Sequence, residues 1–333
     1  MARRLGLALA TILLFLGSAS TAGAQAQPPK APANDDCLAC HGDAEAKREN
    51  GTSVAVDQKV FADSKHGPLE CVDCHKDLAT IQEFPHPEKL AKVNCASCHD
   101  EEGAKYHDSI HSWAKEKAGL AVAPACADCH GTHDIRGTDD KTSRVFRANI
   151  PATCGSCHQG VLDKYRVGIH ATKRDAGNDA APVCADCHTA HGIQRTDTDA
   201  ARLSVTAECG TCHAESMRTY RDTFHGQVTR LGFVRVATCA DCHGAHDIFP
   251  KADARSMVNA ANRVTTCQKC HPSANENFAQ YDPHADRHDK ARSASLYYTG
   301  KFMDGLLISV FGFFGVHTVL WFSRGLKERR RRQ

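Results

Sequence analysis

The sequence predicts a chain of short helices and irregular turns arranged as a linear repeat, closed by one membrane-spanning helix. Three observations predict it. A ten-residue string is written three times, as CADCHGTHDI at 126–135, CADCHTAHGI at 184–193 and CADCHGAHDI at 239–248. All 18 cysteines fall in nine C-x-x-C-H strings, with none left over. From Gly305 to Ser323 the chain has no Asp, Glu, Lys or Arg, a run long enough for one transmembrane helix.

The repeat comes first. Cys95, Cys154, Cys209 and Cys267 each open a C-x-x-C-H and recur at a near-constant period. Cys126, Cys184 and Cys239 open a second C-x-x-C-H and recur with them. Each unit therefore carries two motifs. A tyrosine stands at one fixed offset from each first cysteine (Tyr106, Tyr165, Tyr220), and a histidine at another (His111, His170, His225). The units run over about 37–94, 95–153, 154–208 and 209–266, with a half-unit at 267–295. In the diverged first unit His66 and His86 stand where later units have their extra pair.

The motif carries chemistry. Its cysteine pairs are Cys37 and Cys40, Cys71 and Cys74, Cys95 and Cys98, Cys126 and Cys129, and Cys154 and Cys157. Four more follow: Cys184 and Cys187, Cys209 and Cys212, Cys239 and Cys242, and Cys267 and Cys270. The strings end at His41, His75, His99, His130, His158, His188, His213, His243 and His271. In a helical turn residues i, i+3 and i+4 share one face. Two thiols can then bond the vinyl groups of one porphyrin while the next histidine turns onto its iron, the attachment pattern of c-type haem. Zinc would take four ligands and gives no reason for a histidine after every pair. A disulfide framework fits the even count but not a histidine at the fifth position nine times. The expected cofactors are nine covalent haem c groups.

A second histidine follows the first by three positions in each decapeptide: His133, His191 and His246. Ligands on opposite faces of one haem need Cα atoms on the order of 13 Å apart, and three residues span at most roughly 10 Å. These histidines must therefore serve a neighbouring haem. With nine of 21 histidines proximal, His66, His86, His111, His133, His170, His191, His225 and His246 are eight distal candidates, and YDPHADRH offers His284 or His288 as the ninth. His107 has Arg166 and Arg221 at matching positions and reads as surface. Methionine ligation has little to draw on, since 25–295 holds only Met217 and Met257. Iron with two imidazoles exchanges electrons and leaves no open position for a substrate.

Residues 25–295 divide into about 30 per haem, below the size at which a polypeptide builds a core without metals or crosslinks. The expected fold class is a mostly irregular, short α-helical multihaem cytochrome c, an elongated repeat array with a haem-built core plus one C-terminal transmembrane helix. Residues 25–295 hold 32 Lys and Arg against 37 Asp and Glu, a net of −5, which excludes a nucleic-acid binder on charge grounds.

The ends set the compartment. Arg3 and Arg4, an apolar run to Leu16 and the small residues Ala22, Gly23 and Ala24 read as a secretory signal over 1–24, with a Pro/Ala-rich leader over 25–36. At the other end a membrane-anchor helix with its approach covers 296–323, and 324–333 is a basic tail with Arg324, Lys327 and Arg329 to Arg332. Positive charge stays on the cytoplasmic side, so the haem domain faces the periplasm of an inner membrane.

The paired C-x-x-C-H units resemble those of periplasmic multihaem cytochromes c. The stretch FAQYDPHADRHDKARSASLYYTGKFMDGLLISVFGFFGVHTVLWFSRGL resembles the junction, in bacterial inner-membrane cytochrome bc quinol oxidoreductases, between a multihaem domain and a dihaem cytochrome b. That resemblance implies haem attachment on the exported side, a separate dihaem cytochrome b subunit as partner, quinol reached through it, and a b-type haem shared with it and bound by His317. A histidine hydrogen-bonded in a helix interface is the other reading of His317. The leading function is electron relay through nine haems between that subunit and a periplasmic or extracellular acceptor. The alternatives are a multihaem reductase of a small nitrogen or sulfur oxyanion, or a free-standing electron-storage cytochrome. Intact mass of the denatured chain should show nine haem additions; any smaller number would remove a motif from the count.

Overall fold

A computed structural model describes residues 30–333, so the expected signal segment and residues 25–29 of the leader lie outside the described residues. In chain order the helices are α1 (Asn34–His41), α2 (Gln58–Ala62), α3 (Cys71–Cys74), α4 (Asp100–His107), α5 (Ile110–Glu116) and α6 (Cys126–His130). Then come α7 (Ile150–Gly155), α8 (Gln159–Val167), α9 (Ile169–Asp175), α10 (Cys184–His188) and α11 (Asp199–Cys212). Last are α12 (Ala214–Asp222), α13 (Phe224–Arg230), α14 (Cys239–His243), α15 (Arg263–Gln268) and α16 (Ala294–Arg331). Among the described residues there is no strand, and one isolated antiparallel bridge joins Lys47 to Ser53.

Two compact units form: the described part of Met1–Ala55 with Leu69–Val93, and Val56–Pro68 with Asn94–Gln333. The boundary cuts the first expected repeat, because the segment carrying α2 and His66 belongs with the later copies. There the Lys65 N–H donates to the Ile135 carbonyl at 2.8 Å. The same bond recurs one period on: Ile110 N–H to Ile193 O at 2.8 Å, and Ile169 N–H to Ile248 O at 2.7 Å. Each time the last residue of a decapeptide holds the backbone just before a candidate distal histidine.

The motif helices are short, so their ends decide whether they form. An aspartate at the third helical position accepts a hydrogen bond from the residue before the helix: Ala125 N to Asp128 at 2.7 Å, Val183 N to Asp186 at 2.6 Å, Thr238 N to Asp241 at 2.8 Å. This satisfies a donor that the helix itself leaves orphaned. Arg147 and Arg202 then hold Asp186 and Asp241 by ion pairs of 2.8 and 3.0 Å. The repeated tyrosines fasten each helical arm to the next motif. Tyr106 donates to Pro124 O at 2.8 Å, Tyr165 to Pro182 O at 2.8 Å and Tyr220 to Ala237 O at 2.9 Å. Each acceptor lies two positions before a motif cysteine.

The apolar core of the chain itself is slight. Eleven apolar side chains are buried among the described residues, six of them alanine, and none lies in the first unit. That is too little buried carbon to order a chain of this length at about 25 cal/mol per Å². The short helices need a further apolar partner.

Helix α16 differs. At about 1.5 Å per residue its 38 residues run about 57 Å, well beyond the roughly 30 Å of a hydrocarbon layer. The uncharged run occupies its middle, and none of its side chains is buried within the chain. Tyr297 and Tyr298 stand before the apolar run and Trp321 near its end, as at membrane interfaces. The helix is long and apolar enough to serve as a single-pass anchor.

The decapeptide turn has an unusual backbone. Gly131 and Gly244, each directly after a motif histidine, have φ of 88° and 86° with ψ of −177° and 169°. Thr189 holds the same place at φ 63° and ψ 179°. This region is essentially reserved for glycine and costs other residues about 1–3 kcal/mol. The copy with threonine also departs three positions on: Asp134 and Asp247 are replaced by Gly192. A Cβ at Gly131 would collide with the Asp134 carboxylate, whereas at Gly244 it would only touch Asp247. Thr189→Gly should therefore stabilise the protein by about 1 kcal/mol, and Gly131→Thr should destabilise it by at least as much, read as opposite shifts in thermal midpoint.

Candidate haem sites

Four of the nine motifs lie whole within a helix, in α1, α6, α10 and α14, where residues i, i+3 and i+4 share one side. Burial pushes the Cys187 thiol up to about 11 and raises Cys129 and Cys242, with neighbouring cysteines adding to each. No group of three or more His, Cys, Asp or Glu converges as a metal site among the described residues.

The imidazoles are arranged in pairs. In the first unit His41 faces His86 with ring centres 5.9 Å apart and planes 9° from parallel. In the second unit His66 faces His99 at 6.0 Å, His111 faces His158 at 6.2 Å and His130 faces His191 at 5.9 Å. His170 faces His213 at 6.3 Å, His188 faces His246 at 6.0 Å, His225 faces His271 at 6.0 Å and His243 faces His284 at 6.2 Å. Each pair joins one motif histidine to one from elsewhere in the chain.

The spacing tests whether an iron porphyrin fits. A metal–imidazole bond of about 2.0–2.1 Å and about 1.1 Å from nitrogen to ring centre, on both sides, put the centres about 6.2–6.4 Å apart. The eight pairs span 5.9 to 6.3 Å. Three other ring contacts among the described residues are closer, among them His271–Phe278 (5.0 Å) and Tyr297–Tyr298 (5.4 Å), while the edge-on contact of Phe61 with His133 has the same separation, 6.3 Å, between a phenyl ring and an imidazole. The residues fit a metal held between two imidazoles.

Hydrogen bonds at the far nitrogen support the same orientation. His41 Nδ1 lies 2.8 Å from Val54 O and His86 Nδ1 lies 2.9 Å from Pro87 O. His284 Nδ1 lies 3.0 Å from Thr219 Oγ1, whose own proton is directed at the Glu215 and Ser216 carbonyls. A ring that donates from Nδ1 is left with its Nε2 lone pair, the arrangement usual for ligating histidine. Burial also lowers the pKa of His111, His130, His170, His188, His225 and His243, and the facing imidazole lowers it further. These rings are neutral at pH 7 and able to ligate.

Within the second unit, motif order along the chain is motif order in space. His99 lies within electrostatic reach of His130, and Cys129 of Cys154 and Cys157. The Cys154 and Cys184 thiols lie close enough to interact electrostatically, as do Cys209 and Cys239. Cys187 neighbours Cys209, His213 neighbours His243, and Cys242 neighbours Cys267 and Cys270. In the first unit Cys37 lies within electrostatic reach of Cys71.

Of the remaining candidates, the His133 ring stands edge-on to Phe61 at 6.3 Å. His75 caps α3. His288 is exposed beside Arg287, so of the two C-terminal choices His284 is the one brought to a motif histidine. His107 is exposed against Asp108. His317 lies on α16, which buries no side chain. Sequence reading missed the cap and carbonyl ties; the aspartate repeated at C-x-D-C was the available signal.

The chain is similar to the multiheme cytochrome MtrA of Shewanella baltica (strain OS185), 29% identical over 198 residues, or 54% of this chain and 53% of the relative. It thus spans about half the length of the curated relative it matches. The likeness supports a multihaem c-type cytochrome. No family model matches the chain, and no solved structure matches it. His191→Ala should convert one haem, that of His130, to high spin while the haem beside it on His188 stays low-spin. Electron paramagnetic resonance of the oxidised protein reads this; loss of the His188 signal instead would reverse the pairing.

Proposed function

We propose that this chain is a membrane-anchored electron-transfer cytochrome that carries nine haem c groups and relays electrons between a quinol-oxidising cytochrome b subunit and a periplasmic or extracellular acceptor. The pairing of imidazoles carries the reading. When bound, haem c supplies one-electron exchange at iron. At eight of the nine motifs a second histidine of the chain would take the other axial position and leave no face for an oxyanion substrate, which favours transfer over reduction. The order of the motifs in the second unit gives the relay its path, from Cys95 to Cys270 in steps of one motif. Haem attachment would follow export, and the acidic domain, net −5, would lie outside while Arg329 to Arg332 stay in the cytosol.

The membrane partner would meet α16. Ser309, Gly312 and Gly315 recur at every third position and permit close approach by another helix. His317 is thirteenth in the apolar run, six residues and roughly 9 Å from its nearer end at about 1.5 Å per residue, and so an ionisable residue inside the spanning segment. It would serve as ligand to a b-type haem shared with a dihaem cytochrome b subunit. His317→Ala should keep the covalent haem count but lower acid-extractable haem in the complex and abolish reduction by quinol. Unchanged extractable haem with unchanged reduction would make α16 an anchor alone. A stoichiometric high-spin ferric haem in the unaltered protein would instead revive the reductase reading.

A further inference from the structure

The last copy of the repeat ends differently from the others. In the three decapeptides the crossing histidine is followed two positions later by isoleucine: His133 and Ile135, His191 and Ile193, His246 and Ile248. The isoleucine carbonyl then ties down the first residue of an earlier helical arm, as described above. His284 is followed two positions later by Asp286. In this copy the arm residue at the matching position is Phe224, which stands to Cys209 as Ile110 stands to Cys95 and Ile169 to Cys154. Its N–H meets no backbone carbonyl, and its side chain is 73% exposed. The usual tie is missing.

A different one stands in its place, six residues back on α12. Both Asp286 oxygens meet the Arg218 guanidinium, at 2.5 Å from Nη2 and 3.3 Å from Nη1, the two-pronged geometry that fixes direction as well as distance. Asp286 is only 5% exposed and also accepts from the His288 N–H at 2.8 Å. The neighbouring Thr219, 2% exposed, holds His284 Nδ1. Earlier units have Ala104 and Lys105, or Asp163 and Lys164, where this one has Arg218 and Thr219. The arginine, the threonine and the aspartate all occur where the isoleucine tie does not.

We propose that Arg218 and Asp286 form an end lock that positions His284, with Thr219, as distal ligand to the haem on His243. The proposal rests on the haem reading above. Neither residue touches the iron; both act through the segment that carries the ligand. The bidentate pair fixes the loop, and the threonine fixes the ring rotation so that Nε2 faces His243.

The test uses the full-length, haem-loaded protein in mild detergent, read by magnetic circular dichroism, electron paramagnetic resonance and redox titration. His284→Ala sets the reference: one haem should turn high-spin, with covalent haem content unchanged by denaturing mass. Arg218→Gln and Asp286→Asn should each reproduce part of that change or shift the potential of the same haem, and Asp286→Glu should restore much of it. Thr219→Val, which keeps side-chain shape, should shift that potential without a change in haem content, and serves if the charge variants mature poorly. Arg324→Gln, which removes an exposed ion pair to Glu328 on α16, should leave spin state unchanged. If His284→Ala acts but Arg218→Gln and Thr219→Val match the unaltered protein in spin state and potentials, the end lock is overturned and the ligation reading survives. If His284→Ala itself changes nothing, both fall.

Discussion

The helical repeat depends on one distance: two imidazoles held opposite one another with centres 6.0 Å apart at His66 and His99, and close to that in the other seven pairs. One ring of each pair comes from a motif and the other from a distant stretch of chain, as His66 with His99 and His130 with His191 show. Closing loops of that length costs entropy that grows only slowly with length but must still be offset. The eleven buried apolar residues, mostly alanine, cannot offset it alone. A metal between the rings and a porphyrin against the helices would supply the missing bonds and the missing apolar surface. This makes cofactor binding and folding parts of one process.

Smaller devices set the rings before that process. The aspartate caps fix helices of only four or five residues, which would not persist alone. The tyrosine and isoleucine ties hold an arm and a turn together by a side chain in one case and a carbonyl in the other. The left-handed residue after the motif histidine reverses the chain, so that the second histidine of a decapeptide points away from the first. This is the structural reason that His188 and His191, so close in sequence, face His246 and His130.

Much of this was legible in the sequence, because covalent chemistry leaves fixed spacings. Nine motifs, the two-motif period and the surplus histidines could be counted, and the anchor helix could be read from the absence of charge. The pairings could not. A histidine's spacing within its own turn says which haem it cannot serve, and only the three-dimensional path says which it does. The choice between His284 and His288 turned on Thr219 and Arg218, far upstream in the chain. The grouping of residues 56–68 with the later copies was hidden likewise, since the Lys65–Ile135 bond is made by backbone atoms that any sequence possesses.

The final copy shows how a repeat stops. An interior unit can borrow a carbonyl from its successor, because the successor is there to lend it. The unit opened by Cys209 has only a half-unit after it, and beyond His271 a single loop leads to α16 at Ala294. A backbone tie needs a specific turn, whereas an ion pair needs only two side chains within reach, and so tolerates a loop of different shape. Arg218 and Asp286 are such a pair, and Asp286 stands at the place of the lost isoleucine. In solenoids the terminal repeat commonly departs from consensus because one of its faces has no neighbour. Here the departure falls on the ligand-bearing turn itself, at the end of the array nearest in sequence to the membrane helix, where a relay fed from the membrane would have to begin.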